Sequence, residues 1–193
     1  MEMSTKDLWI EETWFENHVA EYQTHGDLKV LMWKAPNTGM YHARFVFDGN
    51  RMHVTGDIGT ASFWFTEKAD VFNQSQYNLG YFVEKLEAFK GEKYTFNSEN
   101  AVEYLKDWRK ELDENERDYS EDEMDKLIHL CKTCDSIEEW GEIIHQNSGF
   151  ISQLDYEYYE WIYDIGNEYS NRLRGYLVAL KMAAKQLKSV VAC

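Results

Sequence analysis

The segment DLKVLMWKAPNTGMYHARFVFDGNRMHVTGDIGTASFWFT, residues 27–66, decides the fold class of this chain. Its runs are rich in Val, Phe, Tyr and Trp, and they are separated by polar turns at residues 36–39, 48–50 and 57–59. Runs of this composition are typical of β-strands, and turns this short join strands that run in opposite directions. The segment therefore predicts a four-stranded antiparallel meander over about residues 27–65.

Helical patterns flank the meander on both sides. Ser4 is followed three residues later by Asp7, the spacing of a capping box, and the apolar residues after it predict a first helix over about residues 6–21. On the other side, the apolar residues of segment 81–89 predict a short helix that ends at Gly91. The meander therefore has a helix on either side of it.

Helices dominate the second half of the chain. Ser98, Ser120 and Ser136 each precede apolar residues at helical spacing and are the predicted N-caps of three helices. A long final helix is predicted over about residues 167–188. We therefore expect an α+β fold with an N-terminal helix, a four-stranded antiparallel meander and a helical half that ends in a long C-terminal helix.

The chain length bounds the number of domains. A chain of 193 residues with no obvious linker is long enough for one substantial core. We expect a single compact unit over residues 1–193, with the first helix and the sheet in residues 1–95 and the helical half in residues 96–193.

The composition is that of a folded protein that stays inside the cell. Hydrophobic residues make up 44% of the chain and aromatic residues 16%, which is too much for a disordered acidic chain. No window approaches the roughly 20 apolar residues that a membrane-spanning helix needs, and the N-terminus lacks the apolar core of a signal peptide. Cys131, Cys134 and Cys193 are too few for a disulfide framework, so we expect free thiols in a cytoplasmic protein.

The net charge of −15 is concentrated in one part of the sequence. Residues 111–165 hold 17 acidic and 3 basic residues, whereas residues 166–193 hold 1 acidic and 5 basic residues. Such a field repels nucleic acid and membranes and attracts basic partners over a distance that ionic strength sets. We therefore expect no direct nucleic-acid binding through the acidic face and no membrane partner.

The chain carries none of the common catalytic motifs, so we do not expect an enzyme. A nucleotide-phosphate loop, a nucleophile elbow and a zinc-protease helix are all missing from the sequence. His42 and His53 lie in adjacent predicted strands, and His53-Val54-Thr55 matches half of a two-histidine phosphoesterase motif. A small nucleotide- or nucleic-acid-processing enzyme that uses these two histidines is therefore kept as an alternative.

One cluster has the residue types of a metal site. Cys131 and Cys134 form a C-x2-C pair, with His129 and His145 nearby in the sequence. A zinc site needs four convergent ligands, and here the second pair at matching spacing is missing. We expect two half-buried thiols at a helix end, with no metal and no cofactor.

Two acidic stretches are the candidate partner-binding surface. The acidic run, residues 111–125, holds nine acids, and the acidic–aromatic segment, residues 154–169, interleaves acids with Tyr and Trp. Carboxylates can imitate a phosphate backbone, and aromatic faces accept arginine by stacking. For the acidic run, a solvated helix face is favoured over an interface. For the acidic–aromatic segment, a solvated face and an interface are equally supported. The candidate residues are Asp155, Glu157, Tyr158, Glu160, Trp161, Asp164, Glu121, Asp122 and Glu123.

Three further segments carry a resemblance: FVFDGNRMHVTGDIGTASFWFTEKADVF at 45–72, YFVEKLEAF at 81–89 and RLRGYLVALKMAAKQLK at 172–188. With them the chain resembles small acidic proteins encoded by phages and prophages of Gram-positive bacteria, among which are anti-CRISPR inhibitors of Cas nucleases. The resemblance implies a phage-encoded protein that binds a type II Cas9–guide RNA complex in the host cytoplasm, at a basic surface that normally holds DNA.

A non-enzymatic phage accessory protein is the remaining alternative. Its homo-oligomer would form through the C-terminal helix, whose basic residues could meet the acidic stretches of a neighbouring copy. These basic residues are Arg172, Arg174, Lys181, Lys185 and Lys188.

Overall fold

The computed structural model describes residues 4–191, with side chains from residue 4 to residue 189. The chain divides into two compact units. Unit 1 consists of residues 1–93 together with residues 170–193, and unit 2 consists of residues 94–169. The expectation of one compact body for the whole chain stays a prediction. Within residues 4–191, no helix combines the length and the apolar character that crossing a membrane requires.

Unit 1 is built around an antiparallel sheet in which, within the described residues, six strands lie side by side in chain order. The strands are β1 Val19–His25, β2 Leu28–Lys34, β3 Ala43–Asp48, β4 Arg51–Gly56, β5 Ala61–Trp64 and β6 Leu86–Phe89. The α+β class and the meander from β2 to β5 are confirmed, whereas the count of four strands is wrong. Strands β1 and β6 extend the meander at its two edges.

Strand β1 begins in chain that was predicted to be helical, since its first three residues fall within the predicted helix 6–21. Helix α1, Thr5–Thr13, begins with the predicted capping box of Ser4 and Asp7 but does not continue to residue 21. Val19–His25 instead pairs along its whole length with β2, and Gly26 turns the chain between the two strands at a φ of 63°. The apolar spacing of this stretch fits a helix, but pairing with an available strand edge outweighs such a local preference.

Strand β6 corrects the prediction of a helix over residues 81–89. Asn78 caps a short helix, α3 Leu79–Glu84, by accepting a hydrogen bond from the backbone of Tyr81. The chain then leaves the helix at Lys85 and pairs with β5, with a register shift at Ser62 and Phe63. Half of the predicted helix is therefore an edge strand.

Helices cover the buried face of the sheet in unit 1. Besides α1 and α3 they are α2 Val71–Gln74 and α8 Asn171–Val191. Tyr176 of α8 is fully buried, and its ring meets Phe45, Phe63 and Phe89 edge-on at centroid distances of 6.4–6.5 Å. Its hydroxyl donates a hydrogen bond to the carbonyl of Ile58 at 3.3 Å. The C-terminal helix therefore closes the core of the sheet.

Unit 2 is helical, apart from a two-stranded sheet. The elements are β7 Tyr94–Phe96, α4 Ser98–Glu114, α5 Glu121–Lys132, α6 Ile137–Gln146, α7 Ser148–Leu154 and β8 Asn167–Tyr169, with 3₁₀ turns at Tyr158–Glu160 and Ile162–Asp164. Ser120 and Ser136 are the N-caps as predicted. The N-cap of α4 is Asn97 and not Ser98, because the Asn97 side chain accepts from the backbone of Asn100.

The start of the final helix also differs from the prediction. Residues 167–169 form β8, which pairs with β7, and α8 begins only at Asn171. Backbone pairing again outweighs the local helical pattern.

Trp140 lies at the centre of the unit 2 core. Its side chain is fully buried, and its indole Nε1 donates a hydrogen bond to the carbonyl of Ile162 at 2.8 Å. Phe96 of β7 stacks on it at 5.9 Å. The hydrogen bond to Ile162 ties helix α6 to the middle of the acidic–aromatic segment and so holds that segment against the core of unit 2.

Candidate partner-binding site

A cavity of about 650 Å³ lies in unit 2 between the second half of α4 and residues 152–161. Binding sites for small groups commonly have volumes of about 300–1,000 Å³, so the cavity can hold a side chain of a partner. One wall comes from α4 and the turn after it, and the other comes from the end of α7 and the start of the acidic–aromatic segment.

Aromatic rings form much of the lining. Tyr104 and Trp108 lie one helical turn apart on α4 and therefore share a face of the helix. Trp161 packs against both: its ring lies 5.2 Å from Tyr104 at an interplanar angle of 31° and 5.1 Å from Trp108 at 71°. Tyr104 remains 46% exposed, so this aromatic cluster is open to solvent.

Asp155 holds Trp161 in place. One carboxylate oxygen, Oδ2, accepts a hydrogen bond from the indole Nε1 of Trp161 at 2.8 Å, and the other, Oδ1, accepts from the backbone N–H of Glu157 at 2.8 Å. Both oxygens are therefore engaged within the unit. Asp155, predicted as a partner-binding residue, acts first to position the aromatic wall.

The charges around the cavity are mostly negative. Glu111, Asp155 and Glu157 line it, and Arg117 is the one Lys or Arg among the described lining residues. Glu111 belongs to the acidic run, whereas Asp155 and Glu157 belong to the acidic–aromatic segment. The cavity therefore brings carboxylates of the two predicted acidic stretches together.

The remaining predicted residues do not line the cavity. Tyr158 packs against the core of unit 2, and Glu160 is exposed. Asp164 is exposed and accepts a hydrogen bond from the side chain of Asn167 at 2.7 Å. The expected exposure of aromatic residues is found at Tyr156, which is 75% exposed, and Tyr159, which is 53% exposed. The segment therefore presents acids and phenol rings to solvent outside the cavity as well.

The three predicted acids of the acidic run lie in the first turn of α5. Glu121, Asp122 and Glu123 are exposed there, where carboxylates stabilise the positive end of the helix dipole. The guanidinium of Arg109 pairs with Glu121 at 3.3 Å and with Asp125 at 2.6 Å. Part of the acidic run is therefore neutralised inside unit 2.

The net charge of the chain lies wholly in unit 2. This unit holds 21 of the 35 acidic residues and 6 of the 20 Lys and Arg residues, which gives a net charge of −15. Unit 1 holds 14 acidic and 14 basic residues, which gives zero. The boundaries of unit 2 thus enclose the whole net charge, whereas segment 111–165 carries −14.

Sequence reasoning missed the α4 wall of the cavity. The helical spacing of Trp108 placed it in the core, and it is indeed only 9% exposed, but it also lines the cavity. Tyr104, one turn earlier on the same face, is the signal that could have been read: the sequence places two large aromatic residues there next to the charged Asp107 and Glu111.

The two histidines of the alternative enzyme hypothesis lie at different places in unit 1. Nδ1 of His42 lies 2.8 Å from the carbonyl oxygen of Gly39, and Nδ1 of His53 lies 2.9 Å from the hydroxyl of Ser62. His53 is opposite Val46 in the sheet, four residues beyond His42 along the chain. At about 3.4 Å per residue this spacing corresponds to ~14 Å along the strand. The structure does not bring the two imidazoles together.

The cysteines lie deeper than expected. Cys131 and Cys134 are both buried in the core of unit 2, and burial raises the pKa of Cys131 to about 12 and raises the pKa of Cys134 as well. The prediction of half-buried thiols is therefore wrong, because the end of α5 turns into the core. Among the described residues, no three His, Cys, Asp or Glu side chains are grouped so that they could hold a metal ion. Cys193 lies outside the described residues.

Four of the five basic residues named in α8 fall into two groups. Arg174 pairs with Asp7 of α1 at 3.2 Å and is therefore engaged within unit 1. Lys181, Lys185 and Lys188 line a shallow depression of about 310 Å³ beside Ser75. Homo-oligomerisation through these lysines stays a prediction.

Comparison with known proteins gives no relative. Family models, curated proteins and solved structures were searched, and none of them matches the chain.

Proposed function

We propose that this protein is a phage-encoded inhibitor of a host nucleic-acid defence nuclease, most simply a type II Cas9–guide RNA complex. It binds the nuclease stoichiometrically in the host cytoplasm and performs no catalysis. Its unit 2 occupies a basic surface that otherwise holds DNA, where lysine and arginine side chains contact phosphates or base edges. Unit 2 has the sign of charge that such a surface attracts.

The observation that carries this proposal is the separation of charge between the two units. A net charge of −15 over the 76 residues of unit 2, beside a neutral unit 1, attracts a basic groove and repels nucleic acid. A protein that is acidic only for solubility has no reason to confine the excess to one unit. The exposed Tyr156 and Tyr159 add aromatic contacts of the kind that interfaces favour.

The test is capture of a Cas9–guide RNA complex by the tagged protein, with DNA cleavage measured on the same samples. We expect capture and loss of cleavage at low salt, and weaker capture as salt rises, because exposed charges are screened. Exchanging Glu157 and Glu160 for Lys should weaken capture by about tenfold or more, which corresponds to about 1.4 kcal/mol. Both carboxylates are exposed.

The matched control reverses the same number of charges in unit 1. Glu12 and Glu67 are exposed and belong to unit 1, and exchanging both for Lys should leave capture within about twofold of the parent, because the proposed surface belongs to unit 2. No association at any salt concentration would remove the Cas9 proposal. An equal loss in the two double variants would show that only the total charge matters and not the surface of unit 2.

A further inference from the structure

We propose that the cavity of unit 2 is a receptor for one arginine side chain of a basic protein partner. The identity of that partner rests on the proposed function, whereas the chemistry of the cavity does not. Three properties of the lining carry the inference: its aromatic rings, its unpaired carboxylates and the position of the protein's own arginine.

The aromatic rings fit a planar cation. Tyr104, Trp108 and Trp161 all line the cavity, and their centroids lie 5.1–5.2 Å apart in the two contacts that Trp161 makes. A guanidinium group within about 6 Å of such a ring is attracted by the ring quadrupole, most strongly by Trp, and its flat shape allows stacking. The hydrogen bond from Trp161 to Asp155 fixes one of these rings before any partner arrives.

The carboxylates fit the same cation. Glu111 and Glu157 line the cavity, and neither side chain forms a hydrogen bond or an ion pair with any other described residue. Two carboxylates beside aromatic rings can each accept from the N–H groups of one guanidinium, whose donors form a planar fork. A lysine ammonium is a compact point charge, so it gains less binding free energy from a lining that offers flat aromatic faces and two carboxylate acceptors.

The effect of Arg117 on binding distinguishes a cationic ligand from an anionic one. It lines the cavity without an ion pair to another described residue, so it could serve an anion, or it could repel a cation. Three carboxylates against one guanidinium make the lining negative. We therefore infer that Arg117 weakens the binding of the partner's arginine by like-charge repulsion. Removing its charge should strengthen binding, and an anionic ligand requires the opposite result.

The experiment titrates the full chain with short blocked peptides, Gly-Gly-X-Gly-Gly, in which X is Arg, Lys or trimethyl-lysine. Binding is followed through the indole N–H NMR signals of Trp108 and Trp161, which lie at the site. We expect the Arg peptide to bind in the millimolar range and at least about fivefold more tightly than either lysine peptide, because only it both stacks and donates a fork. Equal binding of the Arg and Lys peptides, or tighter binding of trimethyl-lysine, would overturn the proposal.

Matched variants separate the cavity from general charge. Glu157→Gln and Tyr104→Leu should weaken the Arg peptide by about threefold or more, and Arg117→Gln should strengthen it by about twofold. The controls are Glu160→Gln and Tyr159→Leu, which make the same changes at exposed residues that do not line the cavity. The assignment would be contradicted if the control variants lost as much affinity for the Arg peptide as the cavity variants do, or if Arg117→Gln lowered that affinity.

The two proposals fail in different ways. If the Arg peptide behaves as expected but no Cas9 complex is captured, the receptor is supported and the inhibitor proposal fails. If the Cas9 complex is captured and inhibited equally by the parent, Glu157→Gln and Tyr104→Leu, and the Arg peptide binds no more tightly than the Lys peptide, the inhibitor is supported and the receptor fails.

Discussion

At the scale of single residues, His18 is an ionisable group buried in the core of unit 1. It is 5% exposed, and its imidazole lies 5.0 Å from the ring of Phe15 and 5.6 Å from the ring of Trp33. Burial lowers the pKa of His18 below its usual value of 6.5, although the backbone of Tyr41 and of Met40 opposes part of the shift. The folded protein therefore favours the neutral form of this imidazole.

This burial predicts a loss of stability in acid. Above pH 6.5 the imidazole is neutral in both the folded and the unfolded chain, so it adds no pH dependence. As the pH falls below 6.5, the unfolded chain takes up the proton first. The free energy of unfolding then falls by at most about 1.4 kcal/mol per pH unit until the lowered folded pKa is reached.

Urea denaturation of the parent and of His18→Leu from pH 8 to pH 5 measures this effect. The parent should lose stability relative to the variant as the pH falls below 6.5, because the variant lacks the titrating group. The comparison cancels the other ionisable groups that the two proteins share. Two curves that stay parallel over the whole range would show that His18 is not the cause.

Individual residues also show how much of the candidate site the sequence could predict. Glu157 and Trp161 were predicted because acids and aromatic residues alternate locally in their segment. Tyr104 and Trp108 were not, because they meet Trp161 only after α4 and a segment more than fifty residues later along the chain fold against each other. A helical pattern assigns a residue to a buried face, but it does not say that the face borders a cavity.

At the scale of elements, the turn between β1 and β2 shows how one residue supports a strand. His25 pairs with Leu28, so the turn consists of Gly26 and Asp27 alone. Gly26 has a φ of 63°, in the left-handed region that side chains avoid, although nothing lies within 4 Å of an added Cβ. Any other residue at position 26 would therefore be destabilising because of its backbone conformation and not because of a steric clash with neighbours.

We predict opposite effects of alanine at two glycines with open surroundings. Gly26→Ala should lower the free energy of unfolding by about 1 kcal/mol, and Gly26→Asn should lower it less, since Asn tolerates this region better. Gly141 lies within α6 with nothing near an added Cβ, so Gly141→Ala should raise stability by about 0.5–1 kcal/mol. Urea denaturation measures all three, and equal effects of the two alanine variants would contradict the turn geometry.

The same elements show which part of the fold was predictable. Strands β2 to β5 were predicted because each is bounded by a tight turn that the sequence displays, and the caps at Ser120 and Ser136 were predicted from equally local signals. Strands β1 and β6 form by pairing with the outer edges of that meander. Their own residues are compatible with helix, so their state depends on a neighbour that local spacing does not reveal.

At the scale of the whole molecule, unit 2 is an insertion in unit 1. The chain leaves unit 1 after Lys93 and returns at Ser170, whose backbone N–H donates a hydrogen bond to the carbonyl of Lys93 at 3.0 Å. Within unit 2, the first strand β7 pairs with the last strand β8. In each unit, the two chain positions at its boundary with the other unit are thus adjacent. This is the arrangement in which an inserted domain is tolerated and can be removed.

This topology predicts that unit 1 folds without unit 2. A chain in which a short Gly-Ser linker joins Lys93 to Ser170 should keep the β-sheet and unfold cooperatively, because strands β1 to β6 and helix α8 all belong to unit 1. It should also have lost all of the net charge, and with it the capture of a basic partner. Far-ultraviolet circular dichroism, thermal unfolding and the capture assay measure these three properties, with the full chain as the reference. An unfolded product would show that unit 1 depends on unit 2, whereas a folded product that captures the partner as well as the full chain does would refute the assignment of binding to the acidic unit.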